Sequence, residues 1–303
     1  EKLNVHMRRL EQEPAYAIPE ITRAIRNEYR DFFTVYPQYV TSVTLLDYAL
    51  LEAQYNDEVK AAIDLLENAI AQPAARKDFV GRAKLQLGDY YVLSGRIWDA
   101  ALTYGQVDKA FREDILGEEA RFRNAKLAYY RGDFAWAQSQ LSVLKASTSE
   151  LIANDALYLS VLITENVTPD SNLVPLERFA FADLLLFQHK YTEATALLDS
   201  ITAAFPRHPL NDDILMLHAR IAEKHKEYHK ALDYLRQVYT RYGTDVLADD
   251  ALFRSGEICE KSLKQQKEAI DFYERLILEY PGSTYVQTAR ERLRLLQRTS
   301  PEL

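Results

Sequence analysis

The stretch "LGDYYVLSGRIWDAALTY", residues 87–104, contains two apolar segments separated by a break. The second segment continues into "ALTYGQV" (101–107), where apolar residues recur three and four positions apart, the spacing of a helix with one apolar face. Gly95 interrupts the pattern, and glycine is common just after the end of a helix. The stretch predicts two helices joined by a short turn, with Gly88 and Ala100 where the helices cross closely.

The same arrangement recurs along the chain. In each predicted pair a small residue opens the second helix, and in five of the six it stands three residues after an aromatic or aliphatic one. The aligned small residues are Ala62, Ala100, Ala137, Ala194, Ala231 and Ala269. Their intervals are 38, 37, 57, 37 and 38 residues. A period of this size in helical pairs indicates a solenoid, in which each pair buries its apolar face by stacking on its neighbours.

No segment alternates apolar and polar residues long enough to predict a strand, so the sequence predicts an all-α fold. Three proline motifs end one helix and start the next: "VYPQYVTSVTL" (35–45), "AFPRHPLNDDI" (204–214) and "EYPGSTYVQTAR" (279–290). Proline lacks the N–H group and clashes with the preceding turn, so each motif closes a repeat. The last motif predicts a capping helix over 283–298.

The one long interval predicts an irregular region in the middle of the chain. The segment "NDALYLSVLITEN" (154–166) has the pattern of a first helix, but "NVTPDSNLVP" follows where its partner helix should be. A first helix begins again after Pro175. We therefore predict an N-terminal block over 1–166, an irregular linker over 167–174 and a C-terminal block over 175–303.

Composition excludes some classes of function. The net charge is −8 and the pI is about 5.4, which disfavours nucleic acid as a partner because phosphate contacts need clustered Lys and Arg. No apolar run approaches the ~18 residues that span a bilayer. The start, "EKLNVHMRRL", indicates either a removed leader or an excised piece of a longer protein.

No constellation of side chains predicts catalysis, a cofactor or a metal. His225 and His229 are four residues apart, but no carboxylate or cysteine completes a metal set, so we interpret them as surface residues. The single cysteine, Cys259, is interpreted as a buried structural thiol. The pairs 212–213 and 249–250 are aspartates that open helices, where carboxylates meet the positive end of the helix dipole.

The repeated residues resemble the tetratricopeptide repeat, whose motif places Gly-x-Tyr/Phe near the turn, then a small residue, an aromatic one and a closing proline. The first stretch carries, in this order, Leu87, Gly88, Tyr91, Gly95, Ala100 and Tyr104. The segment "GEICEKSLKQQKEAIDFYERLILEYP" (256–281) carries Gly256, Ala269, Tyr273 and Pro281, with one extra residue assigned to the turn.

The resemblance covers about residues 40–282. It implies a right-handed superhelical solenoid of antiparallel helix pairs with about six to seven repeats. Tyr104 and Tyr273 are expected to fill the gap between one pair and the next.

In this family the first helices line a concave groove that binds protein segments. The groove positions, carried over one by one, are Asp47, Leu51, Tyr55, Leu85, Asp89, Phe122, Lys126, Tyr129, Phe179, Asp183, Met216, Arg220, Glu223, Phe253, Glu257 and Glu260. Aromatic and apolar anchors among mixed charge suit a peptide or a helix. Truncating Tyr129 or Phe253 is expected to weaken partner binding with little effect on stability.

The repeats over about 205–290 are similar to those of bacterial cell-envelope proteins, the outer-membrane assembly lipoprotein and the periplasmic partner of the Tol–Pal system. This resemblance implies a non-enzymatic scaffold in the periplasm or at the outer-membrane periphery, and it leaves peripheral membrane association open. The alternatives are a cytoplasmic location and a docking or regulatory segment of a larger enzyme or sensor.

Overall fold

The computed structural model describes residues 2–13, 16–147, 149–167 and 172–299. Sixteen α-helices and no β-strand occur in these ranges, which confirms the all-α prediction. The chain divides into two compact units. Unit 1 comprises Glu1–Val167 with Phe187–His189, and unit 2 comprises Thr168–Leu186 with Lys190–Leu303.

Unit 1 contains nine helices, most of them packed beside the next one along the chain; the second packs mainly on Leu51–Tyr55, which continues the third. They are α1 (Lys2–Gln12), α2 (Pro19–Val35), α3 (Ser42–Leu50), α4 (Val59–Ile70), α5 (Lys77–Leu93), α6 (Ile97–Ala110), α7 (Ile115–Tyr130), α8 (Phe134–Leu144) and α9 (Glu150–Asn166). A 3₁₀ turn lies over Pro37–Tyr39, and α3 continues into a π-helical turn over Leu51–Tyr55. Helix α1 was not predicted; it is amphipathic and buries Met7 and Leu10 in a cluster with Ile25 and Tyr29 of α2.

The helices of unit 2 are α10 (Val174–Phe187), α11 (Tyr191–Ala204), α12 (Asn211–Lys224), α13 (Tyr228–Arg241), α14 (Ala248–Glu257), α15 (Gln266–Glu279) and α16 (Val286–Thr299). Helix α14 continues into a second π-helical turn over Ile258–Leu263. Helices α12 and α13 pack side by side after a turn of three residues, so they run antiparallel, and α14 packs on α15 in the same way.

All six predicted pairs turn with the same backbone geometry. One residue in each turn has a positive φ angle: Asp57, Gly95, Gly132, His189, Lys226 and Lys264. Each of these residues precedes the repeated alanine of its pair by five positions. A left-handed residue at the end of a helix redirects the chain and allows the next N–H group to satisfy a free carbonyl group of the last turn.

Comparing the corresponding hydrogen bonds of two pairs shows where the extra residue of the α14–α15 pair is placed. In the α5–α6 turn Arg96 N–H donates to Tyr91 O at 2.7 Å, five residues back. In the α14–α15 turn Gln265 N–H donates to Cys259 O at 2.8 Å, six residues back. The extra residue is therefore absorbed by the π-helical turn at the end of the first helix, and its assignment to the turn between helices was wrong.

The repeated alanines lie in the core, as the period predicts. Ala62, Ala100, Ala137, Ala194, Ala231 and Ala269 are each fully buried. A small side chain at these sites lets the second helix approach the first closely.

The proline motifs end helices at the predicted places. Helices α2, α11 and α15 stop before Pro37, Pro206 and Pro281, respectively. The capping helix begins later than predicted, because residues 283–285 form a turn in which Ser283 Oγ accepts a hydrogen bond from Tyr285 N–H at 3.1 Å. It spans Val286–Thr299 instead of 283–298.

Much of the predicted linker over 167–174 lies outside the described residues, because 168–171 are not described. Helix α10 starts at Val174, with Pro175 in its first turn. No helix in the described ranges is both long and apolar enough to cross a membrane.

Candidate binding surface on the first helices

The predicted groove residues divide by burial. Six of them are buried: Leu51, Leu85, Tyr129, Phe179, Met216 and Phe253. The other ten are partly exposed: Asp47, Tyr55, Asp89, Phe122, Lys126, Asp183, Arg220, Glu223, Glu257 and Glu260. The first eight positions of the predicted groove belong to unit 1 and the other eight to unit 2.

The two residues chosen as anchors pack in the core. Tyr129 is 0% exposed, and Phe253 is 8% exposed and stacks on Tyr285 with ring centroids 4.6 Å apart. Truncating either ring would remove core packing, so the expectation that stability stays nearly unchanged is wrong.

A polar node in unit 1 joins three helices around Asp89. The ring of Tyr104 in α6 lies against Gly88 in α5, where a Cβ atom would be only 2.2 Å from the ring. The Tyr104 hydroxyl donates to Asp89 Oδ1 at 2.6 Å, and Arg123 Nε of α7 donates to the same oxygen at 3.1 Å. Tyr104 therefore fills space inside its own pair, in contrast to the predicted gap between pairs, and burial raises its pKa.

Unit 2 contains an equivalent node around Glu260. The ring of Tyr273 lies against Gly256, where a Cβ atom would be 2.5 Å away. The Tyr273 hydroxyl donates to Glu260 Oε2 at 2.8 Å, and Arg292 Nη1 of α16 lies 3.4 Å from Glu260 Oε1. This tyrosine also packs inside its own pair.

Two other groove carboxylates of unit 2, Glu223 and Glu257, also have cationic partners. Arg254 of α14 donates two hydrogen bonds to Glu223 of α12, at 2.9 and 3.1 Å. Glu257 accepts from Lys261. Burial raises the pKa of Asp250, and the positive charge of Arg220 opposes this shift.

The arginines of these pairs were missed by the sequence reasoning. Arg123, Arg254 and Arg292 follow their carboxylate partners by 34, 31 and 32 residues, respectively. This separation is close to one repeat, so opposite charges about one period apart on first helices were the available signal. Because these ion pairs join neighbouring first helices, the side chains of this face are fixed in position before a partner binds.

Phe122 and Lys126 lie on the same side of α7, four residues apart, and both are partly exposed. Lys126 Nζ lies 5.5 Å from the ring centroid of Tyr130. Asp47 and Tyr55 are partly exposed on α3 and its π-helical turn, and burial raises the pKa of both groups. These four residues give unit 1 an aromatic, mixed-charge surface.

Residues considered for other chemistry have structural surroundings. Within the described ranges, no group of three His, Cys, Asp or Glu side chains is arranged to hold a metal ion. His225 packs edge-on against Tyr191, with centroids 5.1 Å apart. Cys259 is buried, as predicted, and burial raises its pKa to about 11, which makes it a poor nucleophile at neutral pH.

The aspartate pairs occupy the first turns of α12 and α14, as predicted.

Comparison with known families identifies tetratricopeptide repeats in this chain. One tetratricopeptide-repeat model matches residues 179–246, and a second matches residues 250–283. No curated protein matches the sequence. Tetratricopeptide repeats indicate a scaffold for protein–protein interaction.

The solved structures that match the chain have low sequence identity and low TM-scores. A tetratricopeptide repeat protein from Parabacteroides merdae ATCC 43184 is 15% identical, with 84% of this chain and 98% of that chain covered and a TM-score of 0.37. The apo form of RapI is 14% identical, with 92% and 80% covered and a TM-score of 0.37. The P58(IPK) TPR domain is 14% identical, with both chains covered over 100% and a TM-score of 0.34.

Proposed function

We propose that this protein is a non-enzymatic scaffold that binds a peptide or helical segment of another protein on its first-helix faces. The observation that carries the proposal is the polar node of Asp89 with Tyr104 and Arg123, which joins three helices. Phe122 and Lys126 lie on one of these helices and are partly exposed. A rigid face loses little conformational freedom on binding, and an aromatic ring beside a cation suits a segment with apolar and acidic side chains.

A protein partner agrees with the charge of the chain better than a nucleic acid does. The net charge is −8, so electrostatics disfavour a polyanion. The tetratricopeptide repeats in unit 2 support the same class of partner.

The test is site-specific capture of a partner. A photoreactive phenylalanine analogue replaces Phe122 in one variant and Leu278 in a matched control, because Leu278 lies on the second helix α15 and is 79% exposed. After irradiation in extracts of the source organism, we expect cross-linked proteins at position 122 that are absent from the control. Adding Lys126→Glu to the probe variant should lower the yield of the same products. Identical products from both positions would contradict a site on the first-helix face.

We also propose a bacterial envelope location, supported by the resemblance of the repeats over about 205–290 to envelope proteins. Fractionation of the full-length protein from its source tests this location. Recovery in the cytoplasm, or a long flanking catalytic domain in the open reading frame, would favour the alternative of a docking segment in a larger protein.

A further inference from the structure

A cleft in unit 2 lies where α12 packs against both α11 and α13. It is lined by the beginnings of α11 and α13 and by the end of α12. Its volume is about 390 Å³. A helix about 10 Å across would need roughly 850 Å³ over two turns, so the cleft suits a single side chain of a partner better than a helix.

Two pairs of aromatic rings line this cleft. His218 of α12 stacks on Tyr234 of α13, with ring centroids 5.0 Å and ring planes 15° apart. Nearer the helix ends, His225 meets Tyr191 of α11 edge-on, at 5.1 Å. The face of a tyrosine ring attracts cations, and planar cations can also stack on it. The rings therefore favour a cation as the occupant of the cleft.

Asp199 of α11 contributes a carboxylate to the same cleft. It lies 3.3 Å from His218 Nε2, and 68% of its side chain is exposed. Burial lowers the pKa of His218 and outweighs the opposing effect of Asp199, so the imidazole is uncharged at neutral pH and does not neutralise the carboxylate. The other charged residues of the lining, Glu227 and Lys230, pair with each other at 3.0 Å. The lining thus has two carboxylates and one ammonium group, which leaves it negative.

The imidazole of His218 borders both Asp199 and Tyr234. A cation that contacts the carboxylate therefore lies beside an aromatic ring as well. A guanidinium group suits both neighbours, because its planar fork matches a carboxylate and its face stacks on a ring. An ammonium group is more strongly hydrated and has no plane to stack.

We propose that this cleft binds an arginine side chain of a partner protein, with the guanidinium group between Asp199 and Tyr234. Most of the lining belongs to the second helices α11 and α13. The proposal therefore does not rest on the function proposed for the first-helix faces, and either one can fail without the other.

Titration of the intact chain with N-acetyl-arginine amide, followed by NMR of isotope-labelled histidine, tests the proposal. We expect the His218 ring resonances to shift with a Kd on the order of millimolar, because a single side chain makes few contacts. N-acetyl-citrulline amide is the matched neutral probe, since it has nearly the same shape without the charge. It should bind at least about tenfold more weakly.

Substitutions of single charges show which groups hold the probe. Asp199→Asn keeps the shape of the side chain, removes its charge and should weaken binding of the arginine probe by at least about tenfold. Glu193→Gln is the matched control, because it removes an exposed carboxylate of α11 from outside the cleft and should leave the Kd unchanged. Lys230→Met should strengthen binding by about two- to fivefold, because the charges of Lys230 and Asp199 interact.

Three results would overturn the proposal. The His218 resonances could stay unshifted at the highest probe concentration, or the citrulline probe could bind as tightly as the arginine probe. The Kd could also be unchanged in Asp199→Asn. Tighter binding of N-acetyl-lysine amide would contradict the choice of arginine. Because Asp199 is largely exposed, Asp199→Asn should keep the wild-type melting temperature, which separates lost binding from lost folding.

Discussion

The α5–α6 pair of unit 1 and the α14–α15 pair of unit 2 combine the same four groups, a glycine, a tyrosine, a carboxylate and an arginine, with the carboxylate at different positions. In both, a tyrosine ring covers a glycine, the hydroxyl reaches a carboxylate, and an arginine from the next first helix binds that carboxylate. In α5 the carboxylate directly follows the glycine, as Asp89 follows Gly88. In the α14–α15 pair it lies four residues after Gly256, in the π-helical turn, as Glu260.

The difference shows which contact in this arrangement of side chains is constrained. The ring–glycine contact is kept in both pairs, while the carboxylate changes in position and length to follow the hydroxyl. A buried hydroxyl needs a partner, so a tyrosine at this site requires an acceptor nearby.

In the remaining pairs the first and second helices pack together without the polar node. At the positions of the two glycines they carry Ala49, Ala125, Ala182 and Ala219. At the positions of the two tyrosines they carry Leu66, Leu141, Leu198 and Leu235. All eight are buried. A smaller residue on the first helix accompanies a larger one on the second, which keeps the packed volume nearly constant.

Removing the rings should have the largest effect on both pairs. We expect Tyr104→Ala and Tyr273→Ala each to lower the free energy of unfolding by about 3–5 kcal/mol, because a buried ring is replaced by a cavity. Urea denaturation measures this loss. The matched controls Tyr104→Phe and Tyr273→Phe keep the ring and remove one hydrogen bond to a carboxylate, so they should lose only about 1–3 kcal/mol. Equal losses for Ala and Phe would show that the ring–glycine contact is unimportant.

Adding a methyl group beneath each ring should have the next largest effect. Gly88→Ala and Gly256→Ala place a Cβ atom 2.2 and 2.5 Å from a tyrosine ring, respectively. We expect each to lower the free energy of unfolding by about 1–3 kcal/mol. Adding Tyr104→Leu to Gly88→Ala recreates the combination of the other pairs and should recover part of the loss. Additive losses in the double variant, measured by denaturation, would contradict volume compensation.

Substitutions at the left-handed residues of the two turns should change the free energy of unfolding by a smaller amount. The α5–α6 turn has Gly95 at φ 79°, and the α14–α15 turn has Lys264 at φ 58°. Lys264→Gly should raise the free energy of unfolding by about 1 kcal/mol, and Gly95→Ala should lower it by about as much, because only glycine adopts this conformation without strain. Lys267→Gly is the control, since it lies in α15 and should be destabilising. A lower stability for Lys264→Gly would mean that the lysine side chain makes a stronger contact than the strain it carries.

The single thiol reports on one of the two pairs alone. Cys259 lies in the π-helical turn of the α14–α15 pair, and its pKa is raised to about 11 by burial. We expect slow reaction with a thiol reagent at pH 8, faster reaction as the pH rises toward that pKa, and a clear acceleration in Gly256→Ala. Gly88→Ala should label at the wild-type rate, because its defect lies in unit 1. Acceleration in both variants would indicate that the two units open together.

The sequence predicted the elements that depend on local signals. Repeated alanines, helix-ending prolines and glycine turns each have a physical reason visible in a few neighbouring residues. The π-helical turns gave no such signal, because one extra residue can be absorbed in a helix or in a turn. Helix α1 was missed because no capping or proline signal precedes it.

The candidate surface was harder to predict for a different reason. A groove position specifies a place on a first helix, but burial depends on which side the neighbouring first helix covers. Tyr129 and Phe122 lie on the same helix, and only the structure shows that one is in the core and the other partly exposed. The charges of Asp89 and Glu260 looked available to a partner because their arginines lie about one repeat away.

The left-handed residue always stands five positions before the buried alanine, whether it is Gly, Asp, His or Lys. Each helix pair thus contains the residue that reverses the direction of its chain, and this reversal does not depend on the neighbouring pairs. In-frame duplication or deletion of one helix pair would leave the turns of all other pairs unchanged. Lineages carrying this protein are therefore expected to differ by whole hairpins more readily than by residues inserted between the left-handed residue and the alanine.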